Sequence, residues 1–137
     1  MQYLLKTEPS VYSFSNLQKE QSTIWDGVTN PVAVKHLRAM QKGDKLVIYH
    51  TGDERQAVGL GSVVRTWYPD PKKDNPRLIV IDVSAGVPLA RPVALSTLKA
   101  DPRFAESPLV RMGRLSVVEL TEEQYAAILD LGGVTAT

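Results

Sequence analysis

The stretch that decides the fold runs from residue 43 to residue 68 and reads GDKLVIYHTGDERQAVGLGSVVRTWY. Its first part, Lys45–Thr51, is rich in β-branched and aromatic residues and follows a Gly-Asp turn signal, so it predicts a strand. Ala57–Tyr68 predicts a second, longer strand, with Gly59 and Gly61 on one face. Glycines within a strand permit a bend or a close backbone approach, such as a barrel corner provides. The stretch therefore indicates a small, partly closed β-barrel.

The alternation in the longer strand also predicts which side chains face the core. One parity carries four large residues that we expect to point inward: Val58, Leu60, Val64 and Tyr68. The glycines share the other parity. Since strand side chains alternate between the two faces of a sheet, only one parity can face a given core.

Shorter elements surround this pair of strands. Further strands are predicted at Tyr3–Lys6, Arg77–Ser84, Arg91–Val93 and Leu115–Leu120. Two helices have clear start signals, a capping Asn30 before Pro31 and a capping box at residues 121–124. Shorter helices are predicted at residues 14–20 and 96–100. Mixed strands with short helices at their connections indicate an α+β fold.

Composition predicts one domain over residues 1–137. The chain is 43% hydrophobic and 23% charged, close to the averages for soluble proteins, so enough apolar surface is present for one core. Cysteine is absent, which excludes disulfides and cysteine-ligated metal. No apolar run exceeds four residues and no secretory signal opens the sequence, so we expect a cytoplasmic monomer, free or associated with the nucleoid, with no membrane partner.

The net charge of the chain neither indicates nor excludes a polynucleotide partner. Sixteen Lys and Arg against fifteen Asp and Glu give a formal net charge of +1, less basic than proteins that hold duplexes by phosphate neutralisation alone. Residues 91–114, however, contain five basic residues and only two acidic ones. This local excess fits either a solvated surface or a set of phosphate contacts.

The histidines are the first candidates for catalysis. The sequence holds two, His36 and His50, and His50 ends a predicted strand where the chain opens into a Gly-Asp loop. It could act as a general base, line a pocket, or make buried hydrogen bonds in the core. No nucleophile elbow, zinc-binding helix motif or phosphate loop is present, so neither a metal nor a cofactor is expected. An enzyme is the weaker interpretation.

Trp25 is the candidate for ligand stacking. It lies in the segment IWDGVTN at residues 24–30, just before a predicted helix. An Asp-Gly turn exposes backbone amides, so this loop could present an indole face and polar groups to a planar ligand. The alternative is that Trp25 plugs one end of the barrel.

Six motifs in order make the chain resemble the EVE domain family. They are Lys6–Pro9, Trp25–Asn30, residues 37–44, Tyr49–Thr51, residues 68–70 and residues 113–117, and they reach over nearly the whole chain. The resemblance implies a PUA-like barrel of about five to six mostly antiparallel strands, related to readers of methylated adenine. It further implies a pocket for a single modified base that is flipped out of DNA or RNA.

The resemblance also implies roles for individual residues. Trp25 would form an aromatic wall, with a polar edge from Gly27, Val28 and Asn30. The opposite side would come from Lys6, Thr7 and Glu8, and the floor from His50 and Thr51. The rim would come from Tyr68, Arg114, Leu115 and Ser116. Thr29, Pro31, Val34 and Lys35 replace family positions that often carry an arginine and an aromatic residue, which removes a cation and a stacking surface.

A non-catalytic reader of a modified DNA or RNA base is therefore the expected function. The alternatives are a small enzyme that acts on a nucleotide-like ligand through His50, and an interaction module with a vestigial pocket. Because stacking a base on an aromatic ring yields about as much free energy as its extrusion costs, phosphate contacts are needed. The residues expected to make them are Lys72, Lys73, Lys99, Arg103 and Arg111.

Overall fold

The structure is a computed structural model that describes residues 1–134. The strands are β1 (Gln2–Thr7), β2 (Ser22–Trp25), β3 (Lys45–His50), β4 (Gln56–Pro69), β5 (Ile79–Ala94) and β6 (Val117–Leu120). The helices are α1 (Phe14–Glu20), α2 (Pro31–Ala39), α3 (Leu95–Ala100), α4 (Pro108–Arg111) and α5 (Glu122–Leu131), with a 3₁₀ turn at Pro102–Phe104. Among these described residues, no helix has the length and hydropathy that a membrane crossing requires.

The six strands form one sheet in the order β2-β5-β4-β3-β1-β6. β1 and β3 are parallel, and the other neighbouring strands are antiparallel. This confirms the α+β class with mostly antiparallel strands. Within the described residues the sheet stays open, because its edges are the four-residue strands β2 and β6, which lie at opposite ends of the order.

Two predicted strands are one strand in the structure. Arg77–Ser84 and Arg91–Val93 both fall in or beside β5, which continues for 16 residues through a Gly-Val-Pro segment. The sequence patterns do not predict the edge strand β2 or helix α4. Both are only four residues long, too short for either hydrophobic period to be visible in the sequence.

The predicted inward face of β4 is only half right. Leu60 is buried, but Val64 is 39% exposed, whereas Val63 from the opposite parity is buried. The cause is a series of irregularities in the pairing of β4 with β5, which shift the register between Ala57 and Tyr68. Such bulges bend the strand and interrupt its pairing, so strict alternation does not hold along all 14 residues.

Gly59 allows helix α1 to lie directly against the sheet. A Cβ atom at this position would fall 2.3 Å from Cζ of Phe14, the first residue of α1. Phe14 is buried, and the capping box of Ser13 and Asn16 fixes the start of the helix. The expectation of a close approach at a strand glycine is therefore confirmed at Gly59, with an aromatic ring as the approaching group.

We predict that Gly59→Ala destabilises the protein by about 1–3 kcal/mol, because the new methyl group would overlap the Phe14 ring. Urea unfolding followed by circular dichroism measures the change. Gly113→Ala is the control, since a Cβ there would meet no atom within 4 Å, and it should change stability by less than about 0.5 kcal/mol. Equal stability of the two variants would show that Phe14 of α1 does not pack against Gly59.

Candidate functional site

A cavity of about 520 Å³ opens beside the carboxyl end of β1. One wall comes from Lys6 and Thr7 and from the turn that follows them. A second wall comes from residues 23–27, the end of β2 and the loop after it. The third comes from residues 70–72, just after β4. Strands from three parts of the chain therefore end around the same space.

Two aromatic rings stand at right angles in this cavity. Trp25 and Tyr12 both line it, with ring centroids 6.2 Å apart and planes at 87°. Trp25 is 7% exposed and also belongs to the hydrophobic core, so it supports the fold and borders the cavity at once. The sequence left two interpretations of Trp25 open, a cavity wall and a structural plug. The structure shows that the side chain packs in the core and also lines the cavity.

Lys6 brings an ammonium group to the cavity. Its Nζ donates a hydrogen bond to the Gly113 carbonyl oxygen at 3.0 Å and lies 5.7 Å from the ring centroid of Tyr49. Burial lowers the pKa of Lys6. Since an ammonium group has three donors, two stay available for a ligand beside the one given to Gly113.

Carboxylates line the cavity in greater number than ammonium groups. Glu20, Asp26 and Asp70 face it, against Lys6 and Lys72. Asp70 is buried and accepts a hydrogen bond from the backbone nitrogen of Lys72 at 2.9 Å, which holds the third wall in place. Asp26 is exposed at the cavity and is therefore accessible to a ligand.

Tyr12 is hydrogen-bonded to the carboxylate of Glu20. Its hydroxyl donates a hydrogen bond to Oε1 of Glu20, and burial together with Glu20 raises the pKa of Tyr12. The phenol therefore stays neutral in the physiological range.

Glu8 holds the turn at residues 8–12 instead of lining the cavity. Its Oε1 accepts hydrogen bonds from the backbone nitrogen and the hydroxyl of Ser10, at 3.1 and 2.9 Å, and the backbone bond is the largest cause of the lowered pKa of Glu8. The Glu8 carbonyl accepts from the backbone nitrogens of Val11 and Tyr12. Thr51 donates to Oε2 of Glu8 at 3.4 Å, so it too supports the turn.

His50 makes hydrogen bonds through both ring nitrogens, and the bond at Nε2 is buried. Nε2 accepts from the backbone nitrogen of Phe14 at 3.0 Å, and Nδ1 lies 2.9 Å from Oε1 of Glu54, whose pKa is lowered by this bond. His50 is 7% exposed and does not line the cavity. Of the three roles left open by the sequence, the structure shows the core hydrogen bonds.

Several other predicted pocket residues also serve the fold. Asn30 caps α2 by accepting from the backbone nitrogens of residues 32 and 33, and Val28 and Leu115 are buried in the core. Tyr68 donates to Oδ1 of Asp82 at 2.5 Å. None of these four is among the cavity-lining residues, whereas Gly27 is, in a left-handed conformation with φ +78°.

The predicted rim segment at residues 114–116 lies behind Lys6. The Ser116 carbonyl accepts from the backbone nitrogen of Lys6 at 2.9 Å, next to the bond from Nζ to Gly113. Arg114 is exposed and lies outside the cavity lining. This segment positions Lys6 and does not itself border the cavity.

The predicted phosphate contacts separate into two groups. Lys72 lines the cavity and Lys73 follows it, whereas Arg103 is bound by Asp101 at 2.6 Å and Arg111 by Glu106 at 2.8 Å. The Arg103 guanidinium lowers the pKa of Asp101 to about 2. Lys99, at the end of α3, is exposed and outside the cavity lining. The basic excess around residues 91–114 is thus partly neutralised by its own carboxylates.

Sequence reasoning missed eight of the cavity-lining residues, which are Val11, Tyr12, Glu20, Thr23, Ile24, Asp26, Asp70 and Pro71. Asp26 and Asp70 do lie within motifs that support the family resemblance, Trp25–Asn30 and residues 68–70, so position within a motif could have found them. Val11 and Tyr12 lie in a turn that has no periodicity. Only the folding of this turn against β2 brings them to the cavity.

Comparisons with known proteins show similarity along the whole fold. A family model described as EVE domain matches residues 2–131. Human thymocyte nuclear protein 1 is 30% identical, over 94% of this chain and 72% of that protein. A crystal structure of an Agrobacterium tumefaciens protein has a TM-score of 0.95 at 32% identity, covering 99% of this chain and 95% of that one. A crystal structure of the human THYN1 protein in complex with 5-methylcytosine-containing DNA has a TM-score of 0.81 at 31% identity, covering 98% of this chain and 99% of that one.

We predict that His50→Ala lowers the free energy of unfolding by about 1–3 kcal/mol, because the buried N–H of Phe14 loses its acceptor. Thermal and urea unfolding measure the loss. His36→Ala is the matched control, since that ring lies 3.9 Å from Glu119 at the surface of α2 and makes no comparable buried bond among the described residues, so its loss should be smaller. Undiminished stability of the His50 variant would contradict a structural role for this histidine.

Proposed function

Because the chain belongs to the EVE domain family, whose PUA-like fold its open six-stranded sheet matches, we propose that it is a non-catalytic DNA-binding module. In this proposal one modified base, turned out of the DNA strand, enters the cavity beside Trp25. The observation that carries it is the cavity itself, which combines two aromatic rings, an ammonium group and carboxylates in about 520 Å³. Ligand pockets typically span about 300–1,000 Å³. The complex of the human THYN1 protein with 5-methylcytosine-containing DNA supports DNA as the partner.

The polar groups of the cavity suit a base that carries an exocyclic amino group, and among such bases the 5-methylcytosine in the human THYN1 complex favours cytosine. A carboxylate such as Asp26 can only accept hydrogen bonds, so it suits the exocyclic amino group of cytosine. The Lys6 ammonium can only donate, so it suits the ring nitrogen or carbonyl oxygen of the same base. Thymine and uracil lack the amino group and would direct a carbonyl oxygen at a carboxylate. Cytosine, like adenine and guanine, offers both a donor and acceptors, so the choice of cytosine among these bases rests on the human THYN1 complex.

A methyl group on the base would add little affinity by burial alone. One buried methyl is worth about 0.8 kcal/mol, or about fourfold in affinity. Ile24 and Trp25 supply apolar lining against which such a group can pack. We therefore propose a modest preference for the methylated base over the plain one, added to a stronger preference for cytosine over thymine.

Lys72 and Lys73 are the proposed phosphate contacts. They lie in the turn after β4, which the Asp70 carboxylate holds at the edge of the cavity. A backbone phosphate next to an extruded base passes close to the mouth of its pocket. Arg103 and Arg111 are not part of this proposal because each already binds a carboxylate, and Lys99 is left out because it lies outside the cavity lining.

The two other functions considered have less support. His50, the residue on which an enzymatic alternative depends, has both nitrogens engaged and lies outside the cavity lining. A vestigial pocket would not be expected to keep accessible donors and acceptors facing one another across an open space. RNA as a partner, a monomeric state and a cytoplasmic location stay predictions from the sequence.

We predict that the protein binds a single-stranded DNA oligonucleotide with one 5-methylcytosine more tightly than the same strand with thymine at that position. Lys6→Met should weaken this binding by about tenfold or more, because a hydrogen bond from a charged donor is lost. Fluorescence anisotropy of labelled strands measures both effects, and a matched RNA strand compares the two polymers.

Lys42→Met is the control for the Lys6 variant. Lys42 is exposed in the turn before β3 and outside the cavity lining, so its removal changes the net charge equally without touching the cavity. If the two variants weaken binding alike, the effect is one of general charge and Lys6 does not contact the base. If no strand binds below millimolar concentration, the proposed function is wrong.

A further inference from the structure

Val11 is an apolar side chain held out into solvent at the edge of the cavity. It is 81% exposed, more than any other large hydrophobic residue described, and it lines the cavity. A single exposed valine has no special meaning on an ordinary surface. In the lining of a cavity proposed for an extruded base, an exposed valine can contact the DNA next to that base.

The turn that carries Val11 is fixed by hydrogen bonds. The backbone nitrogens of Val11 and Tyr12 both donate to the Glu8 carbonyl at 2.9 Å. The hydroxyl of Thr7 donates to the Tyr12 carbonyl at 2.6 Å, and Ser10 is bound by the Glu8 carboxylate. The position of the Val11 side chain is therefore set before any ligand arrives, which lowers the entropy cost of inserting it.

A second turn at the cavity carries two lysines, Lys72 and Lys73, next to Asp70. The turn at residues 70–73 is closed by hydrogen bonds from the backbone nitrogens of Lys72 and Lys73 to Asp70, at 2.9 and 3.1 Å. Lys72 and Val11 thus line the same cavity from two separate turns.

Extrusion of a base leaves a gap in the duplex that must be filled. Proteins that distort DNA commonly insert apolar side chains between base steps, which replaces part of the lost stacking. We propose that Val11 is such a wedge: as the modified base enters the cavity, the Val11 side chain occupies the place it leaves, while Lys72 and Lys73 hold the adjacent phosphates. This inference rests on the proposed function and names the residue that makes it work on duplex DNA.

The test compares Val11→Ser with the unchanged protein on three DNA probes that carry one 5-methylcytosine. The probes are a single strand, a fully paired duplex, and a duplex with an abasic site opposite the modified base. A wedge matters only where stacking and pairing must be broken. Val11→Ser should therefore lose about tenfold in affinity for the paired duplex, keep its affinity for the single strand, and recover most of the loss on the abasic duplex.

Val87→Ser is the matched control. Val87 is an exposed valine on β5, 54% accessible and outside the cavity lining, so it should behave as the unchanged protein on all three probes. Unchanged single-strand binding by the Val11 variant shows at the same time that it is folded.

The outcomes separate the two proposals. If the unchanged protein binds none of the probes, the proposed function fails and the wedge fails with it. If it binds the single strand and the Val11 variant matches it on every probe, only the wedge is overturned. Equal losses on all three probes also overturn it, because Val11 is then simply part of the cavity wall.

Discussion

The packing of helix α1 against the sheet is the constraint on which the rest of the molecule depends. The ring of Phe14 lies against Gly59 of β4 so closely that no side chain fits there, and its backbone N–H is accepted by the buried His50 at the end of β3. These two contacts fix where α1 begins. Because the turn at residues 8–12 runs directly into α1, they also fix the wall that carries Tyr12 and the rim that carries Val11. One wall of the cavity is therefore a consequence of how α1 meets two strands.

Polar residues divide between this framework and the cavity. His50, Asn30 and Glu8 accept hydrogen bonds from backbone nitrogens, in a buried position for His50 and in exposed positions for the other two. Lys6 and Asp26 retain capacity at the cavity, one as a donor and the other as an acceptor. In this account, the base edge is recognised by the few polar groups, such as Lys6 and Asp26, that are not fully engaged in hydrogen bonds within the protein.

Sequence reasoning reached the fold more fully than the site. Capping residues such as Asn30 and strand glycines such as Gly59 act locally, so their structural effects can be predicted from their neighbours along the chain. The cavity joins Lys6, Tyr12, Trp25 and Asp70 from separate segments, and only tertiary structure brings them together. Local patterns also cannot show whether a polar residue is already satisfied. His50 and Arg103 were predicted to face a ligand, and both are occupied by partners within the protein.

A crystal structure of the protein with a DNA duplex that carries one 5-methylcytosine tests the central claim most directly. The account predicts that the methylated base lies outside the helix and inside the cavity beside Trp25, with Nζ of Lys6 and the Asp26 carboxylate at hydrogen-bonding distances of about 2.7–3.2 Å from its polar edge. A duplex that contacts the protein while the methylated base stays stacked and paired would contradict it.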